Sequence, residues 1–109
     1  MNYSPQVNGK LKQITNLICQ TVREYNLHPY HINCGSCENF AGDIAKKLKG
    51  AKAFWGDELE DLFPKKIKHM AFCHCFIRYK DKYYDAEEPM GVSKPHQLPL
   101  YQRGLYSIN

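Results

Sequence analysis

Residues 70–87 constrain this chain more than any other stretch. Residues 70–79 read as one strand and 82–87 as the next, leaving Lys80-Asp81 as a two-residue turn. Such loops are the commonest hairpin connection, although Lys-Asp is not the Asn-Gly type they prefer. The turn sets the register, placing Asp85 opposite Phe76 and Glu87 opposite His74. Side chains alternate along a strand, so Phe72, His74, Phe76 and Arg78 share one face while Ala71, Cys73, Cys75, Ile77 and Tyr79 share the other. Both faces are mostly apolar, which predicts a strand covered on both sides. Asp85 then falls on the face of His74, one diagonal step away, with roughly 5–8 Å between Cβ atoms. An even-numbered loop preserves that relation, and a three-residue loop sends Asp85 to the far face.

Two helices precede the hairpin. Leu11, Ile14, Leu17, Ile18 and Val22 form an apolar stripe that predicts a helix over residues 8–25. Cys19 lies beside the stripe as a small apolar side chain. Asn26 and Pro29 end this helix, and residues 27–33 read as a connector in which Tyr30 and Ile32 pair briefly as a strand. The second helix begins near Ser36, an N-cap residue type, with Cys37, Phe40, Ala41, Ile44, Ala45 and Leu48 on one side. Lys46, Lys47 and Lys49 suit the negative end of its dipole, and Gly50 is a fitting stop. Residues 57–63 predict one or two helical turns ended by Pro64. From Glu88 the tail, with Pro89, Pro95 and Pro99, reads as a wrapping loop with a last strand at 105–108.

With 109 residues and a 43% hydrophobic share, a single domain spanning 1–109 is expected. Net charge is +4, and the basic run at residues 65–69 is offset by acidic neighbours, so nucleic acid is not the expected partner. Five cysteines is an odd number, the first residues lack the architecture of a secretion signal, and no run approaches the ~18 apolar residues a membrane helix needs. The expectation is a cytoplasmic protein in a reducing compartment, away from membranes.

In that setting clustered cysteines point to chemistry or metal. Cys37 opens a helix, where unpaired backbone N–H groups lower a thiol's pKa and can bind an oxyanion. Gly35 and Ser36 leave room for a substrate backbone. With His74 on one strand and Asp85 on the next, the parts of a nucleophilic triad are present: Cys37 as nucleophile, His74 as base, Asp85 orienting the imidazole. Glu87 is the alternative partner for the ring. Such a triad needs no cofactor or metal, and it acts on a protein or peptide substrate.

Two other chemistries use the same cysteines. Cys34, Cys37, Cys73 and Cys75 supply four sulfurs for a zinc-stabilised, non-catalytic protein-binding module. Residues two apart on a straight strand have Cα atoms ~6.7 Å apart, whereas tetrahedral thiolates ~2.3 Å from zinc sit ~3.8 Å apart; zinc therefore requires a bend at Cys73-His74-Cys75. Alternatively Cys34-Gly35-Ser36-Cys37 is a Cys-x-x-Cys at a helix start, the arrangement of thiol–disulfide exchange, with Cys34 attacking. That chemistry needs a buried strand before the motif.

Gly35-Ser36-Cys37-Glu38-Asn39-Phe40-Ala41 resembles the Gly-x-Cys-Glu-Asp-Tyr/Phe-Ala motif of bacterial transglutaminase-like cysteine proteinases. His74 opening an aromatic-rich strand, then Tyr84-Asp85 after a hairpin, is similar to the His and Asp motifs of the wider papain-like, transglutaminase-like superfamily. The resemblance spans residues 35–87 and departs at Asn39, where relatives carry an acid. It implies an α+β fold in which the nucleophile helix packs on a small antiparallel sheet. It also implies a cysteine peptidase, amidase or glutamine deamidase using Cys37, His74 and Asp85.

Overall fold

The computed structural model describes residues 13–108. Three helices come first: α1 (Gln13–Tyr25), α2 (Pro29–Gly35) and α3 (Cys37–Lys47). Strand β1 (Lys52–Trp55) leads into two 3-10 segments, Gly56–Leu62 and Lys65–Cys73. Then come β2 (Cys75–Tyr79), β3 (Lys82–Asp85), β4 (Glu88–Val92), a 3-10 turn at Pro95–Gln97 and α4 (Pro99–Ile108). The strands form one antiparallel sheet in the order β1-β2-β3-β4. The architecture is α+β, and no helix among the described residues is long and apolar enough to cross a membrane.

β2 carries Cys75, Phe76 and Ile77 buried in succession because each face of the sheet has its own core. Cys75, Ile77 and Tyr84 pack with Ile14 and Ile18 of α1, Ile32 of α2 and Phe40, Ala41 and Ile44 of α3. Phe76 and Tyr83 pack on the other side with Phe63, Ile67, Ala71, Leu98 and Tyr101. The hairpin has the register its turn implied, with Tyr79 opposite Lys82, Arg78 opposite Tyr83 and Ile77 opposite Tyr84. Lys80 and Asp81 both take positive φ, 48° and 64°, the left-handed pair whose twist matches a two-residue hairpin.

Several boundaries differ from expectation. The helix expected over 8–25 is described from Gln13 onward, and residues 8–12 lie outside the described residues. The connector at 27–33 is the helix α2: Pro29 takes its first position and the His28 ring accepts the Tyr30 N–H at 3.1 Å. β1 had not been expected. The strand predicted from residue 70 begins only at Cys75, because residues 65–73 form a 3-10 segment that buries Ile67 and Ala71 and leaves Phe72 61% exposed. β3 ends at Asp85, and the tail read as loop forms β4 and α4. The strand expected at 105–108 is the end of α4, which Pro99 opens: Tyr101 is buried beside Leu98, the residue before the helix, and Leu105, one turn on, packs against them.

Candidate active site

Cys37 is the first residue of α3, and the preceding Ser36 makes no side-chain cap bond. The turn from α2 into α3 therefore presents a half-buried thiol at the positive end of the helix dipole.

His74 sits between the second 3-10 segment and β2, with extended backbone angles (φ −141°, ψ 142°). Its carbonyl accepts the Gly56 N–H at 3.0 Å, tying it to the end of β1. The imidazole is sealed from solvent, 6.1 Å from Phe76 and 5.8 Å from Tyr101 between ring centroids. Asp85, the last residue of β3, is 2% exposed. Its Oδ2 lies 2.9 Å from His74 Nε2, and its Oδ1 accepts the backbone N–H of Glu87 at 2.9 Å. The diagonal placement inferred from the hairpin turn is realised as a direct hydrogen bond.

With Nε2 committed to Asp85, Nδ1 is the remaining ring nitrogen; it is buried and has no hydrogen-bond partner. The thiol of Cys37 is nonetheless close enough for ring and sulfur to shift each other's ionisation. Burial pushes the Cys37 pKa up, but the neighbouring His74 ring and its charge, with the Cys75 and Glu38 N–H groups, outweigh it, so the thiol lies below its ordinary value. Burial likewise favours neutral His74, yet Asp85 and Cys37 together raise its pKa. Both shifts run toward the charged forms, thiolate and imidazolium, that a cysteine–histidine pair uses in catalysis. Cys75 behaves oppositely: burial, then the neighbouring Cys37, Glu38 and Glu58 charges, push it up to about 12, which leaves it inert.

Glu87 does not bond the imidazole. Arg103 of α4 forks onto it, Nη1 to Oε2 at 3.1 Å and Nη2 to Oε1 at 2.9 Å, and Asn33 Nδ2 donates to Oε1 at 2.9 Å. Arg103 also stacks over Tyr30 at 4.7 Å. Sequence reasoning missed Arg103, Asn33 and Tyr101 at the site; the helical spacing of Leu98, Tyr101 and Leu105 was the available signal, and the prolines masked it.

The other cysteine chemistries find less support. Cys34 and Cys73 are exposed, Cys75 is buried, and all five thiols are free. Among the described residues no three His, Cys, Asp or Glu side chains converge as a metal site. A helix, α2, occupies the place where thiol–disulfide exchange needs a buried strand. No protein-family model matches the chain, and no curated protein or solved structure matches it.

Proposed function

We propose that the protein is a cysteine-dependent hydrolase with a papain-like, transglutaminase-like core, acting on an amide of a protein or peptide. The observation that carries this reading is the 2.9 Å bond between Asp85 Oδ2 and His74 Nε2, which leaves the buried, unpartnered Nδ1 as the ring nitrogen free to act. Asp85 fixes the tautomer and steadies the imidazolium.

The Cys37 thiolate attacks the carbonyl carbon, forming a C–S bond, and the carbonyl electron pair moves to oxygen. Amide dipoles at the start of α3 favour that oxyanion as they favour the thiolate. The intermediate collapses, the C–N bond breaks, and the departing nitrogen takes the proton from His74 Nδ1. A thioester on Cys37 remains. His74 then removes a proton from water, which attacks the thioester and releases the acid and the thiol. Ammonia leaving from a glutamine side chain makes the reaction a deamidation, and an amine leaving from a backbone makes it proteolysis. A cytoplasmic, reducing setting suits a free nucleophilic thiol.

Limiting iodoacetamide at neutral pH, followed by peptide mass spectrometry, tests this. Cys37 should be modified ahead of the more exposed Cys34 and Cys73, and His74→Ala should abolish the preference. Equal labelling of the three thiols would overturn the reading.

A further inference from the structure

We infer that the Glu87–Arg103 ion pair is a positioning device for the catalytic carboxylate, holding the turn after β3 so that the Glu87 N–H locks the second oxygen of Asp85. The inference rests on the reading of Cys37, His74 and Asp85 as one catalytic set.

A carboxylate bonded only through Oδ2 can swing about its last side-chain torsion, which has broad wells. The Glu87 N–H on Oδ1 at 2.9 Å removes that freedom and sets the plane in which Oδ2 meets His74. Strand pairing alone does not hold this N–H in place. The β3–β4 ladder shifts register between Tyr83 and Asp85, at the approach to the turn. The turn is instead held through its own side chain. Three donors converge on the Glu87 carboxylate, two from Arg103 and one from Asn33. A bidentate guanidinium fork fixes direction as well as distance. Asn33 is 3% exposed and sits in α2, which runs through Ser36 straight into Cys37. The same clamp thus joins the lead-in to the nucleophile, the turn behind the carboxylate and the C-terminal helix.

The pair also neutralises a rival. Glu87 is only 15% exposed and its charge is felt at His74. Burial opposes its ionisation, but the Arg103 and Asn33 hydrogen bonds, with the charges of Arg103 and His74, keep its pKa below the ordinary value. The groups facing it are Arg103 from α4, Asn33 from α2, Asp85 from β3 and His74 from just before β2; His28 and Glu87 line one cavity. With Arg103 bound, Glu87 does not compete with Asp85 for the imidazole.

The test compares the full-length protein with Arg103→Gln, Arg103→Lys and Glu87→Gln. One readout is the pH dependence of Cys37 alkylation by iodoacetamide. The other is the downfield imidazole N–H resonance of His74, assigned by its loss in His74→Ala. Charge alone predicts opposite changes: removing Arg103 leaves an anion that raises the His74 pKa, while removing the Glu87 charge lowers it. Positioning predicts the same direction for both, a His74 pKa that falls, a Cys37 midpoint that rises and slower alkylation at neutral pH, by about tenfold for every pH step of one that the midpoint climbs. Arg103→Lys keeps the charge without the fork and should rescue in part. Opposite changes, or none, in folded variants would overturn the positioning role while leaving the nucleophile intact. Wild-type Cys37 alkylating like an ordinary exposed thiol would instead remove the catalytic reading, and the His74 resonance would then decide the positioning role alone. Should Arg103→Gln fail to fold by circular dichroism, the Lys and Glu87→Gln variants carry the comparison.

Discussion

The Tyr101 ring meets the His74 imidazole edge-on, 5.8 Å between centroids and 68° between planes, while the Tyr101 hydroxyl donates to the Ala71 carbonyl at 2.7 Å. One buried side chain from α4 therefore covers the histidine and pins the 3-10 segment that delivers it. Its phenol is held protonated, since burial and the nearby Cys73, Cys37, Asp85 and Cys75 all push its pKa up. Tyr101→Phe keeps the cover and strands a buried carbonyl. It should cost about 1–3 kcal/mol of stability in urea unfolding while leaving the pH profile of Cys37 alkylation nearly unchanged. An unaltered urea midpoint would show that the Ala71 bond contributes nothing.

Cys37 lies below its ordinary 9.0 and His74 above its ordinary 6.5, so each group favours its charged form more than a free thiol or imidazole does. The depressed thiol pKa favours the folded state above pH 9.0, and that contribution is lost as pH falls through the folded value. The raised imidazole pKa acts oppositely, fully present below 6.5 and lost as pH rises through the folded value. Alkylation should accordingly stay fast at pH values where a free thiol is protonated. Asp85→Asn offers the ring a donor in place of a carboxylate and selects the wrong tautomer. It should move the Cys37 midpoint up and reduce acyl transfer on the order of 10²–10⁴-fold. A variant midpoint equal to wild type would mean that Asp85 does not govern the imidazole.

Where one periodicity dominated, the sequence could be read directly. The stripe at Ile14, Leu17, Ile18 and Val22 and the side of α3 bearing Phe40, Ala41 and Ile44 are helical, and both helices are present. Hairpin parity alone was enough to bring Asp85 to His74. Legibility failed where a short segment's conformation is decided by tertiary contacts. Residues 70–74 mix an exposed Phe72 with a buried Ala71 and satisfy strand alternation about as well as a 3-10 turn. What selects the turn is the Ala71 carbonyl meeting Tyr101 from thirty residues away. Arg103 was illegible for the same reason, since its role depends on a helix after Pro99 folding back over the β3–β4 turn.

Gly56 is the close-approach point of the site. A Cβ there would lie 1.9 Å from the Ala71 carbonyl oxygen and 2.4 Å from the Tyr101 hydroxyl, while the Gly56 N–H bonds the His74 carbonyl. Backbone cannot yield as a flexible side chain can, so Gly56→Ala must push the 3-10 segment away from β1. About 1–3 kcal/mol of destabilisation follows from overpacking, together with loss of Cys37's preferential alkylation as the histidine shifts. Gly42 has nothing within 4 Å of its added Cβ. Gly42→Ala therefore serves as a control, and helix propensity predicts no loss there. Equal melting temperatures for the two variants would contradict the close contact.

Glu87 supplies an acid-sensitive tie. Its pKa is lowered from the ordinary 4.5, so the stability it contributes is present above that value and lost as pH falls through the folded one. Arg103 is 43% exposed, so solvent screening trims the pair to about 1 kcal/mol. Urea midpoints of wild type and Glu87→Gln should differ most near neutral pH, with wild type the more stable, and approach each other as acid carries Glu87 through its folded value and removes the carboxylate. Raising ionic strength should narrow the neutral gap, because half of the pair faces solvent. A variant as stable as wild type at neutral pH would mean that Asn33 and the turn backbone hold β3 to β4 without the ion pair.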